Sequence, residues 1–299
     1  MRINIKKLDR LNKEKKDNIK PEEIEASVVI VTYNNTELLL KNLDSLKNQT
    51  IKNFEIILID NNNKIDLYPL LNDYQVIYKK LHKNYGTCLG RNIGIKYAKG
   101  DIVIFLDDDA IPANDFVEQH IKAYQLSDIY GLRGKSLPRK LRNIYNYFAG
   151  HYDLGEKIIP WYINLEGNSS FKKEILVNIG GFNMGINGSG GHEGIELSYR
   201  ILKKYNDKNK LLYYPQAVIY HDYSDNFITY INKIIRHNKN NSQLENTSQD
   251  IFNLTKEYCL NRNGIQRNSI DFITKLRLML IKKSAGVIIK IHSNVLKKG

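Results

Sequence analysis

Three consecutive aspartates, Asp107, Asp108 and Asp109, directly follow the apolar run at residues 102–106. Adjacent like charges repel one another unless a positive group neutralises them. Carboxylate oxygens are hard ligands that suit Mg²⁺ or Mn²⁺, which usually bind through one or two carboxylates together with substrate phosphates. The stretch therefore indicates a divalent-metal site for a phosphorylated ligand. The alternative is a solvated acidic turn in which Asp109 acts as a cap.

A glycine-rich loop over residues 180–194 ends in GGHEG, which places His192 and Glu193 close to Glu196. The spacing is not the HExxH pattern of a zinc protease. A carboxylate in a mobile loop can act as a general base, because loop closure buries it and raises its pKa. Glu193 is thus a candidate base. The alternative is a glutamate favoured at a helix N-terminus by the helix dipole, which competes more strongly for Glu196.

Glycines at positions 86, 90 and 94 recur every four residues around Arg91. The pattern is neither the dinucleotide-binding fingerprint nor a Walker loop, which needs a lysine after its last glycine. Arg91 lies near the start of a predicted helix, where it is either a contact to a nucleotide or a surface arginine. His221 ends a predicted strand, and a lone histidine there is more often structural, so it gains weight only beside Asp109.

Strands and helices alternate in the part of the chain that carries the aspartates. Leu39, Leu43 and Leu46 recur at helical spacing, with Asn35 as the expected helix cap. The alternation predicts an α/β fold with a parallel sheet. The polar clusters TYNN, DNNN and DDDA follow three of the strands and should meet at the sheet edge where ligands bind. The predicted strands cover residues 27–31, 54–60, 75–80 and 102–106.

The chain has 299 residues, a formal net charge of +13 and two cysteines, Cys88 and Cys259. A basic chain is typical of proteins with polyanionic partners, although a lysine-rich surface gives the same balance. The basic residues concentrate at the two ends, which argues against a nucleic-acid-binding module. Two distant cysteines argue against disulfides and a zinc site. The lack of a signal-like or membrane-spanning apolar run predicts a cytoplasmic protein.

Changes in composition divide the chain into three predicted parts. Residues 1–25 form a basic N-terminal arm, residues 26–222 hold the α/β pattern, and residues 223–299 form a helical, basic C-terminal extension. The end of the extension mixes apolar and basic residues. It is therefore predicted either to lie on an anionic membrane surface or to pack on the α/β domain.

The motifs SVVIVTYNN, FEIILIDNNN, NYGTCLGRNIGIKYAKG and FLDDDAIP, in this order, resemble the family 2 glycosyltransferases of the GT-A fold. The resemblance runs from Ser27 to His221. The later stretch, from GNSSFKKEILVNIGGFN to GGHEGIELSYR, looks like the second half of that family, which galactosyltransferase-like members share. The resemblance implies that residues 26–222 form a GT-A catalytic domain, a Rossmann-like fold with a mostly parallel central sheet flanked by helices.

The resemblance also implies residue roles on the donor side. The nucleotide base and ribose would be held by Thr32, Tyr33, Asn34 and Asp60, and Arg91 would contact the base or a phosphate.

The aspartates match the DXD motif that binds Mn²⁺ or Mg²⁺ in the family. Asp109 is the expected direct ligand, and His221 would complete the metal shell. Asp107 would contact ribose or a metal-bound water. Asp108 is a further donor-side residue with the least defined role.

On the acceptor side, Glu193 matches the catalytic base, at a place where the family usually has an acidic pair. Here the second position of the pair is Gly194, which makes the positioning of the acceptor less defined. Further expected contacts to acceptor or sugar are Trp161, Gly167, Asn168 and His192.

The implied activity is metal-dependent, inverting transfer of one sugar from a nucleotide-sugar, by default a UDP-sugar. The glutamine-rich tryptophan motif of processive members is absent after Glu193. The acceptor is expected to be a carbohydrate, lipid-linked or peptide group, and the oligomeric state is left open. A nucleotidyltransferase acting on sugar phosphates is the competing class. It would carry glycine and basic residues after the first strand, and TYNNTELLL has neither.

Overall fold

The first strands of the sheet arise from runs of β-branched and aliphatic residues that are buried on both faces. In the computed structural model, which describes residues 23–186, 192–247, 250–260 and 270–296, these strands are parallel and run in the order β3-β2-β1-β4. The predicted strands are therefore confirmed within a few residues at their ends. Their bounds are β1 Ala26–Thr32, β2 Phe54–Asp60, β3 Ile77–Lys80 and β4 Ile102–Asp107.

The second half of the sheet adds antiparallel strands beside β4. β8 pairs antiparallel with β4 and with β6, and β9 pairs parallel with β6. This mixture explains why the regular strand-helix alternation of the sequence stops after β4. The additional strands are β5 Ile111–Pro112, β6 Gly131–Leu137, β7 Ile159–Pro160, β8 Asn168–Lys172 and β9 Leu211–Tyr220.

Helices cover both faces of the sheet and separate its core into two layers. Leu39, Leu43 and Leu46 of one helix pack on the face that carries Ile30 and Leu58. The opposite layer contains side chains from four other helices packed on alternate residues of the same strands. The helices around the sheet are α1 Thr36–Lys47, α2 Thr87–Tyr97, α3 Phe116–Leu126, α4 Lys173–Ile179 and α5 Glu193–Tyr205.

The glycines at positions 90 and 94 serve packing. A Cβ atom at Gly90 would lie 2.6 Å from Val31 Cγ1, and one at Gly94 would lie 2.2 Å from Val29 Cγ1. Any side chain there would push α2 away from β1. The four-residue spacing therefore marks the helix face that contacts the sheet, and this close contact places Arg91 beside the end of β4.

The described residues after the sheet form the helices α6 Phe227–Thr247, α7 Asp250–Leu260 and α8 Phe272–Leu296. Tyr230 and Ile231 of α6 share an apolar cluster with Ala285 of α8. The opposite face of α8 exposes apolar side chains, including Leu276 and Leu280. Within the described ranges, no helix is long and apolar enough to cross a bilayer.

The predicted basic arm at residues 1–25 falls outside the described residues except for its last three positions. The same holds for residues 187–191 of the glycine-rich loop.

Candidate active site

A cavity of about 680 Å³ opens at the carboxyl ends of β1, β2 and β4. This is the sheet edge at which the polar clusters were predicted to meet, and ligands of parallel α/β sheets bind there. The structure brings together seven of the predicted site residues in its lining. They are Tyr33, Arg91, Asp107, Asp108, Asp109, His192 and His221.

Hydrogen bonds from α1 fix the turn that carries the aspartates. The Asn42 side-chain amide donates to the backbone oxygens of Asp107, at 3.0 Å, and Ala110, at 2.7 Å. Asn35 was predicted to cap α1, but its side chain makes no capping hydrogen bond. Its amide instead donates to Asp108 Oδ1 at 3.3 Å, because the turn lies directly above the helix start.

The three aspartates have different surroundings. Asp107 Oδ1 accepts a hydrogen bond from Arg91 Nη2 at 3.3 Å, and Asp109 Oδ1 lies 3.2 Å from His221 Nε2. Burial and the adjacent charge of Asp109 raise the pKa of Asp108 to about 7. Burial, the largest single effect, would raise the pKa of Asp109, but the charge and hydrogen bond of His221 and the charge of Lys233 together lower it. The surroundings thus favour the charged form of Asp109 and disfavour the charged form of Asp108.

Asp109 and His221 together have the donor set of a partial metal site. Across the described residues, no group of three or more His, Cys, Asp or Glu side chains is arranged to hold a metal ion. Mg²⁺ and Mn²⁺ commonly bind with few protein ligands and complete their shell with substrate phosphates and water. One carboxylate and one imidazole facing a cavity fit that mode of binding, with Asp107 as a neighbour.

The predicted nucleotide-binding residues divide into two groups. Tyr33 is 46% exposed and lines the cavity, and Asn61 of the second polar cluster lies beside it. Thr32 and Asp60 are fully buried and lie outside the lining formed by the described residues. Asp60 Oδ1 accepts a hydrogen bond from the Asn63 amide at 2.7 Å, and its other oxygen accepts from Tyr78.

Asn34 lies outside the same lining and adopts a left-handed conformation with φ 58°. Its Oδ1 accepts from the Lys64 amide at 3.0 Å. Asn34 and Asp60 therefore shape the turns around the cavity, and Tyr33 is the member of the predicted group that faces it.

Three of the predicted acceptor or sugar contacts do not reach the described cavity surface. Trp161 is 3% exposed, and its ring stacks on Tyr162 with the ring centroids 5.3 Å apart. The Asn168 amide donates to two backbone oxygens inside the sheet, and its Oδ1 lies 3.1 Å from His120 Nε2. A Cβ atom at Gly167 would lie 2.0 Å from Asp107 Cγ. Trp161 and Asn168 are thus buried in the core, and Gly167 makes room for Asp107.

Two glutamates lie near Arg91 on the side of the cavity formed by β8 and α5. Glu193 is fully buried. Glu166 is half-buried and lines the cavity, and its Oε1 accepts a hydrogen bond from the Gly194 amide at 2.7 Å. Burial and the charge of Glu193 raise the pKa of Glu166 to about 7. Glu166 was missed in the sequence because it belongs to no motif; an acid directly before a glycine at a strand start was its only signal.

The C-terminal extension supplies basic groups to the cavity. Lys233, Arg236 and His237 of α6 line it. Lys233 Nζ donates to the Tyr223 backbone oxygen at 2.7 Å and lies 4.0 Å from the centre of the Tyr223 ring. Burial and the charge of Arg236 lower the pKa of Lys233 to about 8. These residues gave no sequence signal because helical spacing in a basic tail is common.

The sequence of this chain is similar to those of known proteins. A model described as "Glycosyl transferase family 2" matches residues 27–187. The Uncharacterized glycosyltransferase YfnE of Bacillus subtilis (strain 168) is 37% identical over 107 residues, which cover 34% of this chain and 27% of that protein. Poly(ribitol-phosphate) beta-N-acetylglucosaminyltransferase TarP of Staphylococcus aureus (strain N315) is 38% identical over 90 residues, which cover 28% of each chain. The chain thus spans only about a quarter of these relatives.

Solved structures share the fold at lower identity. S. aureus TarS superimposes with a TM-score of 0.53 at 15% identity, covering 70% of this chain and 38% of TarS. GalNAc-T7, solved with UDP, GalNAc and Mn²⁺, gives a TM-score of 0.54 at 19% identity, covering 67% of this chain and 43% of GalNAc-T7. At these identities the likeness concerns the fold.

Proposed function

The chain belongs to glycosyl transferase family 2 and is a glycosyltransferase with the GT-A fold, and from this premise we propose that it moves a single sugar from a UDP-sugar to an acceptor hydroxyl with inversion at the anomeric carbon. The observation that carries the proposal is the meeting of three aspartates, Arg91, His221 and Glu166 in one cavity of about 680 Å³. Groups that could bind a diphosphate and a carboxylate that could accept a proton thus line the same cavity.

The donor side neutralises the leaving diphosphate. A bound Mn²⁺ or Mg²⁺ would be held by Asp109 and His221, next to Asp107, and would stabilise the negative charge that develops on the diphosphate. Lys233 and Arg236 bring further positive charge to the same cavity. Such fixed charges favour the departing anion more than the intact donor, which is the condition for catalysis.

The nucleotide would bind along the carboxyl ends of β1 and β2. Tyr33 offers an exposed aromatic face for the base. Arg91 donates to Asp107 and lines the cavity, where it would contact the base or a phosphate. Thr32, Asn34 and Asp60 would support these turns, and Asp108 Oδ2 accepts a hydrogen bond from the Tyr33 amide at 3.3 Å.

Transfer also needs a proton acceptor. The acceptor oxygen bonds to the anomeric carbon while the bond from that carbon to the diphosphate oxygen breaks, and a carboxylate takes the hydroxyl proton. Glu193, the residue predicted for this role, is buried on that side, and Glu166 lines the cavity there. His192 lines the same side and is a candidate contact for the acceptor.

The acceptor class is proposed from the relatives. TarP and another relative, a Poly(ribitol-phosphate) beta-glucosyltransferase of Bacillus spizizenii (strain ATCC 23059 / NRRL B-14472 / W23), are named for transfer to a phosphate-linked polymer. We propose a polymeric or lipid-linked acceptor of cell-surface polysaccharide synthesis, with UDP-N-acetylglucosamine and UDP-glucose as the first donors to test. Residues 26–222 would form the catalytic domain, and α6 of the extension would complete its cavity.

The outer face of α8 favours contact with a membrane at the cytoplasmic side. Leu276, Met279 and Leu280 are exposed, and Lys275 and Lys282 are exposed beside them. An apolar stripe with basic flanks is typical of helices that lie in the interface of anionic bilayers. The inner face of the same helix packs on α6. One face of α8 thus suits a membrane surface and the other packs on the protein, which are the two alternatives predicted for the tail.

A donor screen tests the proposed function. The chain is melted with UDP-N-acetylglucosamine, UDP-glucose, UDP-galactose or UDP-N-acetylgalactosamine, with and without Mn²⁺, and UDP release is measured in parallel. A donor that binds the folded state raises the apparent Tm. We expect one or two donors to raise it in a Mn²⁺-dependent manner and to be cleaved. Absence of both stabilisation and UDP release for every donor would contradict the proposal.

A further inference from the structure

Gly194 has no side chain, and the side chain of Glu166 lies in the space that one would occupy. Gly194 is the second residue of α5, and a Cβ atom built on it would lie 2.9 Å from both Cγ and Oε1 of Glu166. It would also lie 2.7 Å from the backbone oxygen of Ile163. Contacts this short are avoided by real side chains, so the glycine allows Glu166 to lie against the start of α5. The Gly194 amide then donates to Glu166 Oε1 at 2.7 Å.

The backbone of Glu166 is tied to the strand that carries the aspartates. The Asp107 amide donates to the Gly167 backbone oxygen at 3.2 Å, and Leu106 pairs with Asn168 in the antiparallel β4–β8 ladder. Glu166 is therefore held by the hydrogen bond from the start of α5 and by its neighbour Gly167, which is bonded to β4. Positions fixed by such regular elements suit a group that must meet a reacting atom accurately.

Access separates Glu166 from Glu193. Glu193 has no exposed surface, whereas Glu166 is half-buried in the cavity wall. The carboxylates that line the cavity, among the residues that the structure describes, are those of the three aspartates and of Glu166. An acceptor hydroxyl in the cavity can therefore contact Glu166, whereas Glu193 is buried and outside the described lining.

From this geometry we propose that Glu166 is the general base of the transfer reaction and that Glu193 acts through it as a buried positioning residue. The proposal rests on the proposed function. The acceptor oxygen forms its bond to the anomeric carbon, the diphosphate leaves with the electron pair of the broken bond, and the acceptor proton moves to the free oxygen of Glu166. The charge of Glu193 opposes that of Glu166 and makes it a stronger base, and Arg91 moderates this effect.

Glu166→Gln and Glu166→Asp separate a chemical role from a structural one. The amide oxygen of glutamine can still accept the hydrogen bond from Gly194, so a residue that only holds the loop would tolerate the change. A general base contributes about 10²- to 10⁴-fold to the rate. We expect Glu166→Gln to lower the kcat of UDP release by at least about 100-fold, with unchanged UDP affinity, and Glu166→Asp to retain part of the activity.

The assay uses the UDP-sugar that the wild-type chain cleaves fastest among the four in the donor screen, with Mn²⁺ present. UDP affinity is measured by calorimetry, and folding is checked by thermal melting. Glu193→Gln is measured beside Glu166→Gln, and Glu174→Gln, at an exposed position of α4, is the matched control. We expect the order of loss to be Glu166→Gln, then Glu193→Gln, with Glu174→Gln unchanged.

Two outcomes would overturn the assignment alone. One is a Glu166→Gln variant that keeps its kcat within about threefold of wild type; the other is a larger loss of kcat for Glu193→Gln than for Glu166→Gln. If the wild-type chain cleaves no donor, the proposed function fails and the assignment of Glu166 fails with it. If Glu166→Gln does not fold, the Glu166→Asp variant is used instead. The carboxylate of aspartate lies further from the acceptor, so a base at position 166 should lose rate. A wild-type kcat with unchanged UDP affinity in Glu166→Asp would contradict the assignment.

Discussion

His221 Nε2 lies 3.2 Å from Asp109 Oδ1, which joins the residue after β9 to the turn after β4. The two side chains come from strands that are far apart in the sequence and converge on one side of the cavity. The pairing of β5, which follows the aspartates, with the end of β9 brings these two side chains together. They would be the protein ligands of the proposed metal site.

Asp109→Ala is expected to remove the Mn²⁺-dependent part of donor binding. The loss of a charged group that stabilises a leaving anion costs about 100-fold or more in rate. The measurement is UDP release as a function of Mn²⁺ concentration. Asp73→Asn, at an exposed position before β3, is the control and should behave as wild type. A Mn²⁺ response that is unchanged in Asp109→Ala would contradict the assignment of this ligand.

Lys233→Ala tests the contribution of α6 to the donor site. Removal of a charge-assisted contact to a phosphate costs about 1.5–3 kcal/mol, which is roughly ten- to a hundredfold in affinity. We expect the Kd for UDP to rise by about tenfold or more, with little change in Tm. Lys41→Ala is the control, since Lys41 is a half-exposed partner of Glu37 on α1. Equal UDP affinity for both variants would show that Lys233 does not contact the donor.

The rate should fall at acid pH because the base must be ionised. Burial, Glu193 and, in the opposite sense, Arg91 set the pKa of Glu166 to about 7. The rate of UDP release is therefore expected to drop about tenfold per pH unit below roughly pH 7. Glu193→Gln removes a neighbouring negative charge. This lowers the pKa of Glu166, so the fall in rate should occur at lower pH.

The pKa of Asp108 is also raised to about 7, so protonation of Asp108 could cause the same fall in rate at acid pH. Its pKa is raised by burial, Asp109 and Asp107, and Glu193 is not among the causes. A fall in rate that stays at the same pH in Glu193→Gln would therefore be assigned to Asp108. A fall that moves to lower pH excludes Asp108 and leaves Glu166 and Asp107, since the charge of Glu193 also helps to raise the pKa of Asp107.

Two glycines in helices are expected to respond oppositely to alanine. Gly94→Ala forces a Cβ atom to within 2.2 Å of Val29 Cγ1, and overpacking of this kind costs about 1–3 kcal/mol. Gly286 of α8 has no heavy atom within 4 Å of a Cβ position, so Gly286→Ala should stabilise by about 0.5–1 kcal/mol. Urea unfolding measures both. The packing argument would be wrong if Gly94→Ala were as stable as wild type.

The sheet was predictable because its central strands are buried on both faces and therefore read as unbroken apolar runs. Residues 27–31 and 102–106 needed no further information. The antiparallel insertion of β8 between β4 and β6 was not predictable, because pairing partners distant in the chain leave no local pattern. The same holds for Gly90 and Gly94, whose spacing resembles a loop motif until the contact with β1 is known.

The candidate site was predictable where chemistry and a strand end coincide. Asp107, Asp109 and His221 each follow a recognisable strand, and the structure brings them to one cavity. Glu166 and Lys233 have no such marker, since their importance comes from tertiary contacts alone. Asn168 shows the reverse case, because a polar residue at a strand start is here used to satisfy buried groups of the sheet.

Polar substitutions on the outer face of α8 test the membrane proposal without removing the helix. Leu276→Ser with Leu280→Ser should reduce flotation with vesicles that contain anionic lipid, because both side chains are about half-exposed. Val177→Ser, at a 61% exposed position of α4, is the matched control. Flotation that is equal for all three proteins would contradict membrane contact through α8.

The apolar cluster between α6 and α8 has a thermodynamic consequence. Lys233 lies in the cavity on the same helix whose Tyr230 and Ile231 pack with Ala285 of α8. If a bilayer binds α8 more tightly when this cluster is in place, and if the cluster also orders Lys233 for the donor, the two binding events are linked. Linkage is reciprocal, so saturating UDP-sugar would then raise the affinity for the bilayer by the same factor by which the bilayer raises the affinity for UDP-sugar. The membrane-bound enzyme would then bind its donor more tightly than the free enzyme does.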